Sequence, residues 1–136
     1  MLSNRSMPSC TIVPVLEYPD VQKAVDWLRG AFGFTLRVQI GDHRAQLKFA
    51  DACVVVRGRA RSDRPCRCST MVRVEDVDRH YRSALAFGAR PFSAPADHPY
   101  GERQYSVEDI AGHTWTFSQS IADVNPEDWG GTVGEL

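Results

Sequence analysis

The sequence predicts an α+β protein built from two tandem βαβββ modules, forming a cupped mixed sheet with its helices on the outer face. Three observations carry this. First, Leu16-Glu-Tyr-Pro-Asp20…Phe32-Gly33 can be laid over Val72-Arg-Val-Glu-Asp76…Phe87-Gly88 with one residue fewer in the second copy, a period of about 56 residues. Second, each copy holds one helical stripe followed by strand-like alternation. Third, Tyr100 to Phe117 has the pattern of a β-hairpin: Arg103, Tyr105 and Val107 alternate with Gln104, Ser106 and Glu108. Asp109-Ile-Ala-Gly112 turns the chain, and His113, Trp115 and Phe117 alternate with Thr114 and Thr116.

Met1 to Ser9 has the composition of a frayed tail. Thr11 to Tyr18 reads as a strand in which Pro14 removes one backbone donor, placing it at a sheet edge or an irregularity. Asp20 is an N-cap, since its carboxylate can accept from free amides of the first helical turn. Val21, Ala24, Val25, Leu28, Ala31 and Phe32 form one stripe, and Gly33 supplies the left-handed terminal residue. Phe34 to Ile40 and His43 to Ala50 alternate around Gly41-Asp42 as a hairpin, and the apolar Ala52 to Arg57 reads as a strand covered on both faces. The second copy follows, with a strand over Ser69 to Val74, Asp76 as N-cap, and Val77, Tyr81, Ala84 and Leu85 as the helical stripe ending at Gly88. Pro91 to Pro95 reads as a short strand and Ala96 to Pro99 as a loop. These elements set expected boundaries at 1–9 (tail), 10–58 (first module), 59–67 (Arg-rich linker), 68–120 (second module) and 121–136, a tail expected to dock through Trp129.

At 136 residues the chain suffices for one domain or two small fused units, and burial of roughly two thirds of its unfolded surface needs no staples. A net charge of -1 supplies no global field for nucleic acid or an anionic membrane. The five arginines between Arg57 and Arg67 lack interleaved aromatics and read as a solvated connector. No apolar run approaches the roughly 18 residues of a membrane helix, and Met1 to Cys10 has no apolar core of a leader, so a cytoplasmic location is expected. In that compartment the four cysteines are reduced. Cys53 reads as a small core hydrophobe, and Cys66 and Cys68, in a polar, Arg-rich stretch, as candidate reactive thiols that are too few to close a zinc site.

With Pro14-Val-Leu-Glu-Tyr-Pro-Asp20 entering the first helix and Asp109-Ile-Ala-Gly-His-Thr-Trp-Thr-Phe117 closing the second module, the chain resembles the vicinal oxygen chelate superfamily from about Cys10 to Ser120. That group includes glyoxalase I, bleomycin-resistance proteins, fosfomycin-resistance enzymes and extradiol dioxygenases. The resemblance implies a metal in the cup of the family's metalloenzymes, held by a His near the start of each module's first strand and a Glu in its last. Carried onto this chain, those positions fall near Val13, Ser69, Val55 and Thr116. Val13 and Val55 offer no donor, and a divalent site needs three or four donors at roughly 2.0 to 2.3 Å. His43, His98 and His113 with Cys66 and Cys68 are a possible relocated set, but lack the spacing that places two donors together.

The expectation is therefore a protein without metal or other cofactor, close to the bleomycin-resistance-like branch. It binds a small aromatic or amphipathic molecule for drug or metabolite sequestration, as a homodimer, with no nucleic-acid or membrane partner. The candidate ligand-binding residues are Gln46, Arg103, Tyr105, Thr114 and Thr116. Arg103 can fork onto a carboxylate or phosphate and Tyr105 can stack on a ring. Arg103 and Tyr105 share one face of their strand and Gln104 and Ser106 the other, and alternation alone does not say which face lines the cup. The alternative is a lyase, isomerase or dioxygenase of glyoxalase type, with relocated metal ligands or with Glu102, His98 or a cysteine as acid or base. A third reading is an interaction module whose cup is filled by its own side chains or by Trp129.

Overall fold

The computed structural model describes residues 2–59 and 67–135. The chain forms two compact units, Met1–Cys68 with Asp109–His113, and Ser69–Glu108 with Thr114–Leu136. In the first unit, β1 (Val15–Tyr18), α1 (Val21–Phe32), β2 (Thr35–Ile40), β3 (Arg44–Phe49) and β4 (Ala52–Gly58) give a sheet of order β1-β4-β3-β2. The second unit repeats this with β5 (Ser69–Arg73), α2 (Val77–Phe87), β6 (Ala96–Asp97), β7 (Glu102–Glu108) and β8 (Thr114–Ser120), in the order β5-β8-β7-β6. In each sheet the first strand runs parallel to the last and the remaining pairs are antiparallel, so both are mixed βαβββ sheets.

The helix boundaries follow from local chemistry. Asp20 accepts from the Lys23 amide at 3.1 Å and Asp76 from the Arg79 amide at 3.0 Å, each taking up a donor that the first turn leaves over. Gly33 and Gly88 close the helices in the left-handed region, where a Cβ would be strained. All six stripe residues of α1 are buried. In α2 only Val77 and Ala84 are, and Leu85 is exposed.

Three expectations change. β1 starts at Val15 rather than Thr11: Pro14 has no N–H, and its carbonyl accepts from the Val55 amide at 2.8 Å as the ladder begins. The short strand lies at Ala96–Asp97, within the expected loop, while Pro91 to Pro95 holds only an isolated bridge from Pro91 to Val107. Prolines donate nothing to a ladder, so pairing shifts to the first two residues past Pro95. The N-terminal segment is not frayed, because the carbonyls of Arg5, Ser6 and Met7 are hydrogen-bonded to Arg37 and Gln46. The C-terminal segment holds a 3₁₀ turn, Pro126–Trp129, with Asn125 accepting from Glu127, and Trp129 lies 5.4 Å from the ring of Tyr100. Most of the Arg-rich linker, and Cys66 with it, falls outside the described residues.

Candidate functional site

The second unit's sheet has two faces of opposite chemistry. On one, α2 covers Tyr105, Phe117 and Trp115, all buried. Tyr105 packs edge-on to Tyr81 at 5.2 Å, and its hydroxyl is hydrogen-bonded to Nδ1 of His80 at 2.6 Å. Burial pushes its phenol well above the ordinary tyrosine range, with the neighbouring Tyr81 adding to the shift. Arg103, on the same face, forks onto the carboxylate of Asp78 at the start of α2 at 3.0 to 3.2 Å and reaches Asp97 at 3.0 Å. Those bonds raise its pKa further. Of the five candidate ligand-binding residues, Arg103 and Tyr105 thus lie on the helix side.

The opposite face is a ladder of hydroxyls and amides. Registry places Ser69 beside Thr114, Met71 beside Thr116, Ser106 beside Thr116 and Gln104 beside Ser118. The Ser106 and Thr116 hydroxyls are hydrogen-bonded at 2.7 Å. A directed chain runs along β7 and β8: Tyr100 Oη donates to Gln104 Oε1 at 3.0 Å, Gln104 Nε2 to Ser118 Oγ at 3.0 Å, and Ser118 Oγ to Glu102 Oε1 at 2.6 Å. The bond from Ser118, followed by one from Ser120, holds the Glu102 carboxyl below its usual range, so it is an acceptor at neutral pH. Thr114, Thr116, Ser106 and Gln104 are half-buried and Met71 is 62% exposed, which mixes polar groups with apolar surface open to a visitor. At the end of β7 the ring of Tyr100 stacks on His98, centroids 5.1 Å apart and planes 9° from parallel. The structure therefore brings Thr114 and Thr116 together and adds Ser106, Gln104 and Tyr100. The alternation of β7 had already set Gln104 and Ser106 apart from Arg103 and Tyr105, but only the seat of α2 shows which set is left uncovered.

Gln46 stands on the first unit's sheet. It shares a face with Val55, its partner across β3 and β4, while Leu47, Ala45 and Val56 lie beneath α1. That face also carries Glu17, ion-paired to Arg57, and Cys53. Burial, then the adjacent Cys10 thiol, pushes the Cys53 pKa up, so it is held as a thiol.

The positions that the resemblance assigns to metal ligands do not fit a divalent cation. Val13 precedes β1 and Val55 sits beside Val15, both without donors, while Ser69 pairs with Thr114 and the Thr116 hydroxyl is engaged by Ser106. Among the described residues no three His, Cys, Asp or Glu side chains gather as ligands. His113 is a buried structural residue: its Nδ1 accepts from the Cys68 amide at 2.8 Å, so Nε2 carries the proton and donates to the Glu17 carbonyl at 2.7 Å. No described helix is long and apolar enough to cross a membrane.

Comparison with known proteins agrees with the repeat. A family model described as the Glyoxalase/Bleomycin resistance protein/Dioxygenase superfamily matches residues 13–117. The crystal structure of TioX from Micromonospora sp. ML1 is 33% identical, covers 83% of this chain and 100% of its own, and superposes with a TM-score of 0.73. A glyoxalase/bleomycin resistance protein/dioxygenase from Nocardioides (18% identical, covering 100% of this chain and 92% of its own, TM-score 0.68) has the same fold. So does lactoylglutathione lyase from Agrobacterium tumefaciens (16%, 84% and 96%, TM-score 0.68). No curated protein sequence matches significantly. Two mixed βαβββ sheets, each with its aspartate-capped helix, and a family match running from the first strand to Phe117 lead to one assignment: the chain belongs to the glyoxalase/bleomycin resistance protein/dioxygenase superfamily.

Proposed function

We propose that this chain is a binding protein of the superfamily, which holds a small aromatic or amphipathic molecule without a metal and sequesters it in the cytoplasm as a homodimer. The observation that carries the reading is the uncovered face of β7 and β8, where Gln104, Ser106, Thr114 and Thr116 stand half-buried beside the exposed Met71. Pockets for such molecules are largely apolar with a few convergent polar groups, and a hydroxyl engaged once keeps hydrogen-bonding capacity for a ligand. The stacked rings of His98 and Tyr100 extend the face with a flat surface. Support for a site without a Lewis acid is the character of the carried-over positions, two of them valines.

The test is isothermal titration with a panel of planar aromatic compounds, alongside metal analysis of protein purified without chelator. Saturable binding that weakens at least about tenfold in Ser106→Ala/Thr116→Val is expected, equivalent to one or two lost hydrogen bonds. An unchanged Kd in the double variant, or stoichiometric cobalt, nickel, manganese, iron or zinc, overturns the proposal. Light scattering that gives a monomer removes the dimer.

A further inference from the structure

Gln46 lies on the sheet face turned away from α1, yet it is only 4% exposed. Over it runs the chain's own N-terminal segment, held in an unusual way. Arg37 Nη1 donates to Gln46 Oε1 at 2.5 Å, which orients the amide. Gln46 Nε2 then donates to the Ser6 carbonyl at 2.9 Å, while Arg37 Nη2 donates to the carbonyls of Arg5 at 2.8 Å and Met7 at 2.9 Å. Three successive backbone carbonyls are read, and no side chain of the segment takes part in these bonds. The segment keeps its shape through Asn4, whose Oδ1 accepts from Ser6 and whose carbonyl accepts from Met7.

Two further facts bear on what this pair is for. Pro8 is buried, but Leu2 is 93% and Met7 55% exposed, so hydrogen bonds that water can replace carry much of the holding. Among the described residues no carboxylate is ion-paired to Arg37, so carbonyl dipoles are its acceptors. A planar guanidinium forking onto two carbonyls, with a fixed amide for the carbonyl between them, matches the tight turn that the Asn4 carbonyl and the Met7 amide close at 3.1 Å.

We propose that Arg37 and Gln46 form a binding site for a peptide-like chain folded into a turn, kept closed by residues 2–9 and opened when an incoming chain that presents three successive amide carbonyls in such a turn displaces them. The site stands on the first unit's sheet, whereas the hydroxyl face stands on the second unit's, and it takes a different class of ligand. A tethered occupant competes at an effective concentration on the order of millimolar, so a free peptide must reach that range to enter.

Trypsin cleavage after Arg5 in the full chain reads the release of the segment. The probe is the acetylated, amidated peptide Leu-Ser-Asn-Gln-Ser-Met-Pro-Ser, which carries Gln in place of the cleavable arginine. Cleavage of the wild type is expected to be slow and to accelerate at least about fivefold at millimolar peptide, because proteolysis tracks the open population. Arg37→Met and Gln46→Leu should be cleaved at the accelerated rate without peptide. Asn4→Ala loosens the segment and leaves the sheet intact. A fluorescein-labelled copy of the peptide should bind it more tightly than wild type, and not bind Asn4→Ala/Arg37→Met. Equal cleavage in wild type and both sheet variants, no acceleration by peptide, or equal peptide binding by all variants overturns the proposal.

Discussion

Asp109 offers the sharpest test of how the turn between β7 and β8 is built. It is buried, and its carboxylate accepts from Tyr18 Oη at 2.5 Å, from the Ala111 amide at 2.9 Å and from the His113 amide at 3.1 Å. Its own amide donates to the His113 carbonyl at 2.9 Å, closing the turn. Asp109→Ala removes the acceptor for all three donors, of which the Tyr18 hydroxyl is in the core. At roughly 1 to 1.5 kcal/mol for each bond, the loss is about 3 to 5 kcal/mol. For a domain of this size that is a fall in Tm of about 10 to 20 °C. Asp109→Asn has the same shape, and its Oδ1 can still accept from both amides, so it should lose only about 1 to 2 kcal/mol, chiefly at Tyr18. Urea unfolding followed by circular dichroism measures both, and Tyr18→Phe combined with Asp109→Asn completes a double-mutant cycle. A stability for Asp109→Ala within about 0.5 kcal/mol of wild type, the range of an ordinary surface change, would refute this role for the carboxylate. Alanine and asparagine variants that unfold together would refute it equally.

Two further outcomes are expected. Gly101 has φ +83° and an added Cβ would lie 2.5 Å from the Ala122 carbonyl oxygen, so Gly101→Ala should cost about 2 to 4 kcal/mol by urea unfolding. Glu102 has a folded pKa below its ordinary 4.5, so its contribution is present above that pH and is lost as pH falls through the folded value. Ser118→Ala should move the Glu102 carboxyl titration, followed by carbon NMR, upward and flatten the acid limb of the stability curve; an unmoved titration would refute the assignment of Ser118 as the main cause.

Much of the fold was legible because its determinants are local. Asp20 and Asp76 cap helices through amides three residues on, and the β7 and β8 alternation survives folding because strand side chains must alternate. β6 was displaced because two prolines bracket a strand-like composition, and pattern alone does not weigh a missing donor against apolar content. The site was less legible. Arg103 and Tyr105 were rightly grouped, but the face they occupy depends on where α2 sits, a long-range fact. Arg37 and the carbonyls of residues 5 to 7 were invisible to periodicity, since a backbone acceptor has no sequence signature. Asp109 looked like a turn former, and nothing near it in sequence indicates Tyr18 as its partner.

The first unit counts Asp109–His113 among its own residues although forty positions of intervening chain belong to the second. A gene fragment stopped at Cys68 would leave Tyr18 without the Asp109 carboxylate and the Glu17 carbonyl without its imidazole donor. The first half thus borrows a turn from the second, so expressing the first alone should yield an incomplete core, whereas a cut in the linker that keeps both pieces in one tube should allow them to reassemble.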